Sequence, residues 1–325
     1  MIWSAGFFIL AGLVAMSSLP LFAAPPAEEL AQKLSSAPVT HFAPAPGYSE
    51  GPTWRNGELF FSSGGLLRVD SQGNVSKYLD LAPAGTYLRG NGHILICDNQ
   101  FHALLDLAPD GTVGIVAEMF EGQPLNSLND ATADKDGNVY WTDPSGSSAE
   151  KPIGSIFRVT PAGKVTRIAQ GLAFPNGIEV DPESKHLYVI ESQTQKVLRY
   201  ALPKEDQPLG KADVFFDLGG SGGDGCAFDA EGNLWVADFH RKETGKGRIT
   251  VLSPDAKVLG HLNLPSKVVS NLTFGGPNYD EIYCTTGEPP GVFRAAVGVK
   301  GFPLHPVPEL KILRKLDIRP LMSGR

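Results

Sequence analysis

What most limits the folds open to this chain is a repeat that carries a chemical group with it. A carboxylate or carboxamide stands just ahead of a short apolar run five times: Glu50, Asn129, Asn176, Asp224 and Asn271. From Asn129 onward the steps are 47, 48 and 47 positions. The surroundings repeat too. Ser49-Glu50-Gly51-Pro52-Thr53-Trp54 leads to the turn Asn56-Gly57, and Leu128-Asn129-Asp130-Ala131-Thr132 leads to Asp136-Gly137. Gly223-Asp224-Gly225-Cys226-Ala227-Phe228 leads to Glu231-Gly232. Further turns at Ala108-Pro109-Asp110-Gly111, Thr160-Pro161-Ala162-Gly163 and Ser253-Pro254-Asp255 mark a second hairpin per unit, because short β-branched and aromatic runs between such turns read as antiparallel strands.

The unit around Asn176 shows four strands: Gly177–Asp181, Leu187–Ser192, Lys196–Leu202 and Asp213–Leu218. Four antiparallel strands at a period in the forties make one propeller blade. Six units predict an all-β, six-bladed β-propeller over residues 41–325, its blades set around a central channel. The second unit, near Gly85 to Met119, is the weakest, with Gly85 or Thr86 at the slot and no ligand-bearing side chain. An all-β sandwich leaves the repeat unexplained.

Composition fits one large soluble domain. The 325 residues include 37 Gly and 26 Pro, which the turns consume, and only 19% are charged. A formal net charge of −7 argues against nucleic acid or an anionic membrane as a partner. The beginning of the chain differs in kind. Met1 to Ala27 holds no charged side chain, and Ile2 to Met16 is apolar, as in an export signal with a small-residue cleavage site near Phe22-Ala23-Ala24. Residues 1–24 are therefore expected to be a signal peptide of a periplasmic or secreted protein. The n-region has no Lys or Arg, and the stretch nearly suffices to span a bilayer, so an uncleaved anchor is the alternative. Residues 25–40 form a lead-in segment, with a short helix expected over Ala27 to Ser36. Cys97, Cys226 and Cys284, an odd number in three different units, read as buried free thiols.

In a propeller the connection into each innermost strand lies on one face around the channel, so the repeated side chains are expected to converge. Oxygen donors suit Ca²⁺, Mg²⁺ or Mn²⁺ better than Zn²⁺, which prefers His or Cys. Glu50 and Asp224 would neutralise a dication, and the Asn residues would add neutral oxygens. The bland alternative is that Asn and Asp before Gly merely form turns, which leaves Glu50 unexplained.

These segments, together with Asn126-Ser127-Leu128-Asn129-Asp130, Phe174-Pro175-Asn176-Gly177-Ile178 and Ser270-Asn271-Leu272-Thr273-Phe274-Gly275-Gly276, resemble the SMP-30/gluconolactonase/luciferin-regenerating-enzyme family over nearly the whole chain after the leader. The resemblance implies a six-bladed propeller with one divalent cation in its channel, commonly Ca²⁺. It implies Glu50, Asn176 and Asp224 as direct ligands, Asn129 as a ligand directly or through water, and Asn271 in the substrate pocket. Members hydrolyse lactones, and some related propellers hydrolyse organophosphates. Ser127 stands where some sugar-lactone members carry a substrate-binding Arg, so a gluconate-like substrate is not implied. Gly223 stands where a Pro often precedes the Asp.

The chemistry expected at such a site is metal-assisted hydrolysis of a cyclic ester. The cation would polarise the lactone carbonyl, and Asp224, or alternatively metal-bound water, would activate the attack. Asp130, beside Asn129, Glu150 on the insert Pro144 to Ile153, and His240 after an inner-blade strand are further pocket candidates. Phosphotriester hydrolysis on the same cation and a non-catalytic binding scaffold are the competing functions. Closed propellers have protected edges, so a monomer acting on a small-molecule lactone is expected.

Overall fold

The structure is a computed structural model that describes residues 27–203, 207–241 and 243–321. The expected signal peptide, residues 1–24, lies outside them. Six four-stranded antiparallel blades surround a central channel, the six-bladed β-propeller that the repeat predicts. Residues 50–79, 83–117, 131–172, 175–217 and 223–263 form the first five blades, each running from inner to outer strand in chain order.

The sixth blade is made from both ends of the ring. Residues 269–296 supply three strands, and Thr40–Pro44 pairs antiparallel with Pro290–Ala296 as the fourth. That pairing closes the disc. The strands form where the chain is β-branched, aromatic or leucine-rich: Ile94–Asp98, Ala103–Leu107 and Val113–Ala117 are buried at every position. Asn56 and Gly57, at φ 53° and 87°, make the kind of tight hairpin turn whose twist matches its strands. The core lies between neighbouring blades. Trp235 of the fifth meets Phe274 of the sixth edge to face at 5.2 Å, and both are buried.

Two segments outside the ring brace it. The helix Ala27–Ser36 falls where the sequence places it and buries Leu30 and Leu34. It lies on the outer strand of the fifth blade, where a Cβ at Gly260 would come within 2.9 Å of Leu34 Cδ1 and 3.0 Å of Ala31 Cα. Each buried leucine contributes on the order of 1.5–3 kcal/mol before entropy is counted. After the last blade, the C-terminal segment crosses the lower face as a strap. Phe302 N–H donates to Phe228 O (3.1 Å), Lys311 N–H to Pro161 O (2.9 Å), Leu313 N–H to Ile115 O (2.8 Å) and Leu321 N–H to Tyr78 O (2.8 Å). Arg314–Lys315 adds a fifth strand to the second blade. No disulfide joins the three cysteines, which are free and buried. Among the described residues no helix is long and apolar enough to cross a membrane.

Candidate metal centre and active site

The mouth of the channel is shaped by a bulge. In the fourth blade Pro175 pairs with Glu191 and the register resumes at Ile178 with Val189; in the fifth, Gly223 pairs with Asp238 and Cys226 with Val236. The first, second and sixth blades carry the same kind of irregularity, at 50/53, 83/86 and 269/271. One extra residue per inner strand bends it and re-aims a side chain toward the axis.

This bulge also corrects the single slot read from sequence. Counted back from the first residue paired beyond the bulge, Asn176 is two before Ile178 and Asp224 two before Cys226. Asn129 is likewise two before Ala131. Glu50, however, is three before Thr53, and Asn271, itself paired with Thr285, is one before Leu272, whose pairing with Cys284 matches that of Cys226 with Val236. The five therefore occupy three adjacent levels of the channel wall. In the second blade the position matching Asn176 is Ala84, not Gly85 or Thr86.

The glycines that follow Asn176 and Asp224 are not there for turns. Gly177 and Gly225 lie in strands and do not have positive φ. A Cβ on Gly177 would come within 2.3 Å of Asp224 O, and one on Gly225 within 2.0 Å of the Asn271 amide. One on Gly85 would come within 2.3 Å of Asp130 Oδ1. Neighbouring blades meet so closely at the axis that only glycine fits, and this is the physical meaning of the Asn-Gly and Asp-Gly pairs.

Three carboxyl groups gather in that space. Asn271 Nδ2 donates to Glu50 Oε2 (3.0 Å) and to Asp130 Oδ2 (3.2 Å), bridging two acids with one amide. Asp224 and Glu50 are within hydrogen-bonding reach of each other, and the Tyr48 hydroxyl donates to Asp224 Oδ2 at 3.1 Å. Glu50 also accepts the Gly51 N–H at 2.5 Å. Asp130 and Asp224 are 6% and 4% exposed. No ion pair recorded for the described residues involves any of the three acids, although pairs occur elsewhere, such as Asp238 with Arg248. Burial pushes the Glu50 carboxyl up, and burial together with the Glu50 charge pushes those of Asp130 and Asp224 well above the usual carboxylate range.

The remaining predicted residues separate into two groups. Asn176 is buried at the same mouth, its Nδ2 donating to Ser192 Oγ (3.2 Å) while Ser192 Oγ donates to Gly223 O (2.7 Å). This pins the amide with its nitrogen engaged and its oxygen free. Asn129 is half-buried, its backbone held by Gly85 N–H and Thr142 O (2.6 and 2.9 Å). Glu150 is not brought to the mouth. It is exposed and accepts the Ser148 hydroxyl of its own loop at 2.9 Å, a solvated loop charge. His240 is half-buried, and none of the hydrogen bonds made by Glu50, Asp130 or Asp224 among the described residues involves it.

Below the acids the channel holds a cavity of about 90 Å³. Asp130 and Asn271 line it, whereas Glu50, Asn176 and Asp224 do not, so it is a chamber beneath the site. Glu179 lines it, accepting the Thr132 hydroxyl at 2.6 Å, and burial pushes its carboxyl up to about 8. Sequence reasoning missed both Tyr48 and Glu179. Neither sits at a repeated position that would have marked it.

The donor set can be tested against a cation. The three carboxyls, Asp130 and Asp224 buried and Glu50 half-buried, share amide, hydroxyl and backbone N–H partners and, among the described residues, no ion pair to a basic side chain, so their charge is left for protons or a cation to balance. All the donors are oxygens. Among the described residues no three His, Cys, Asp or Glu side chains form a ready-made ligand group, so a cation here would need amide oxygens as well. That composition fits a hard, irregularly coordinated cation such as Ca²⁺ better than Zn²⁺.

Fold and site thus define a propeller with an acid- and amide-lined mouth. The chain belongs to the SMP-30/Gluconolactonase/LRE-like family, whose pattern matches residues 48–288. It is 28% identical to the gluconolactonase of Zymomonas mobilis over 285 residues, covering 74% of this chain and 76% of that protein. It is 29% identical to regucalcin of Xenopus laevis over 262 residues, covering 73% and 82%. The solved structure of a putative gluconolactonase superposes with a TM-score of 0.73 at 25% identity, over 82% of this chain and 94% of that one.

Proposed function

We propose that the protein is a divalent-cation-dependent lactonase. The observation that carries this reading is the pair Glu50 and Asp224, a half-buried and a buried carboxyl close together at the channel mouth with no ion pair to a basic side chain among the described residues. Membership of a family with gluconolactonases among its members supports the choice of lactone over other esters.

Glu50, Asn176 and Asp224 would hold the cation, with Asn129 reaching it directly or through water; Ca²⁺ suits the oxygen donors best, and Mg²⁺, Mn²⁺ or Zn²⁺ would compete. Once bound, such a cation supplies a Lewis acid for the lactone carbonyl. The protein's own part is orientation and proton handling. Asp224, in contact with the incoming water, takes its proton as the water oxygen bonds to the carbonyl carbon. The ring C–O bond then breaks, and that proton passes to the leaving alkoxide. Asn271 keeps Glu50 and Asp130 in place through its two hydrogen bonds. Export on the apolar leader and action as a monomer belong to the same proposal.

The test is hydrolysis of aldonolactones, aliphatic γ- and δ-lactones and an aromatic lactone by EDTA-treated protein, with each of the four cations restored in turn. Turnover that stops with chelator and returns with one cation is the expected result. Folded protein that opens no lactone with any cation would sink the reading.

A further inference from the structure

One side chain at the mouth is explained neither by the repeat nor by the donor set. Tyr48 sits two residues before Glu50, on the crossing from the ring-closing strand Thr40–Pro44 to the first inner strand. Its hydroxyl reaches across the ring to Asp224 Oδ2, 3.1 Å away and 176 positions along the chain. Its ring lies over Gly287, where a Cβ would come within 2.8 Å of Cδ2 and 3.0 Å of Cε2. Glycine at that point is what admits the ring. The residue is 50% exposed, yet its hydroxyl end is turned inward onto the acid.

The contact has a consequence for Asp224. A carboxylate pressed against Glu50, without a basic partner, gains by rotating away from it. A phenol O–H on Oδ2 resists that rotation and leaves Oδ1 for a ligand. Groups that hold a ligand from behind in this way fix its orientation and tune its affinity. We infer that Tyr48 is a positioning residue for the cation site, holding Asp224 in its binding orientation from the crossing that follows the ring-closing strand. The inference rests on the reading that the mouth binds a cation. It assigns Tyr48 no direct contact with the cation and requires no change in its protonation.

The experiment is calorimetric titration of Ca²⁺ into EDTA-stripped protein, with circular dichroism as the control for folding. Tyr48→Phe keeps the ring and its packing on Gly287 but loses the hydroxyl. It is expected to weaken Ca²⁺ binding about tenfold or more, with the fold unchanged. Gly287→Ala keeps the hydroxyl but displaces the ring and should weaken binding in the same direction. In a Tyr48→Ala background, adding Gly287→Ala should not weaken Ca²⁺ binding further, because the ring it would push is gone and only Val268 Cγ1, at 3.1 Å, is left to yield. Wild-type Ca²⁺ affinity in Tyr48→Phe would overturn the assignment while leaving the cation reading intact. Wild-type protein that binds none of Ca²⁺, Mg²⁺, Mn²⁺ or Zn²⁺ would overturn both.

Discussion

Aspartate and asparagine do opposite work at the two kinds of place this propeller uses them. At the hairpin turn of the fifth blade, Asp229 is saturated with donors: the N–H groups of Glu231 and Asn233 at 3.0 and 2.8 Å, Asn233 Nδ2 at 2.8 Å and Trp235 Nε1 at 2.9 Å. Asp134 repeats the arrangement in the third blade, with Asp136 N–H, Asn138 N–H, Asn138 Nδ2 and the Tyr140 hydroxyl. At the mouth, Asp224 receives one phenol hydroxyl and faces another acid. The turn acids hold the fold. The mouth acids are short of donors, and that shortage is what a cation would relieve.

Exchanging residues between the two settings breaks the comparison most sharply. Asp224→Asn should leave the propeller folded, because Asn relieves the repulsion from Glu50, but cost turnover a factor on the order of 10²–10³ or more. Steady-state kinetics and circular dichroism on the same preparation decide this. A variant with wild-type kcat removes Asp224 from the site. Asp229→Ala should do the reverse. It strands the Trp235 N–H and two backbone N–H groups, destabilising by about 3 kcal/mol, while the folded fraction keeps its kcat. Denaturant unfolding reads the first quantity, and kcat normalised to folded protein reads the second.

Glu179 sharpens the same contrast, as an acid in the chamber below the mouth. Its carboxyl is pushed up to about 8 by burial. Between the ordinary carboxylate range and about 8 the folded state therefore holds a proton that the unfolded chain has released, so this group's contribution to stability falls as pH rises. Glu179→Gln should raise Tm relative to wild type above pH 8 and leave it unchanged below pH 4. A constant difference across that range would show that Glu179 is not held in an acid-stabilising chamber. The smallest effect is expected from Glu150→Ala. An exposed acid satisfied by Ser148 should shift stability by no more than about 0.5 kcal/mol. A loss of kcat/KM in that variant would bring its loop back over the pocket.

Blade number and the helix Ala27–Ser36 were legible in the chain, because a period in the forties and Gly- or Asn-marked turns are local signals, whereas the closing strand Thr40–Pro44 was not. The placing of Glu50, Asn129, Asn176, Asp224 and Asn271 toward one end of the channel followed from that period, and Asp130 came in only as the neighbour of Asn129. Their different depths did not, since a one-residue bulge shows only in strand pairing. Asn176-Gly177 and Asp224-Gly225 look like turns in sequence and prove to be close approaches between blades, a distinction that depends on the neighbouring strand. Tyr48 was hidden because its partner is 176 positions away in another blade. Glu150 misled because position on a long loop says nothing of the local serine that engages it. The strap was hidden because its hydrogen bonds run to backbone atoms of separate blades, which no side-chain pattern records.

Diffraction at the manganese edge from crystals grown with Mn²⁺ tests the central claim most directly. One anomalous peak at the channel mouth, within coordinating distance of oxygens from Glu50, Asn176 and Asp224, is the predicted result. A mouth without a peak in crystals of active protein, or a peak only elsewhere in the molecule, would contradict the account.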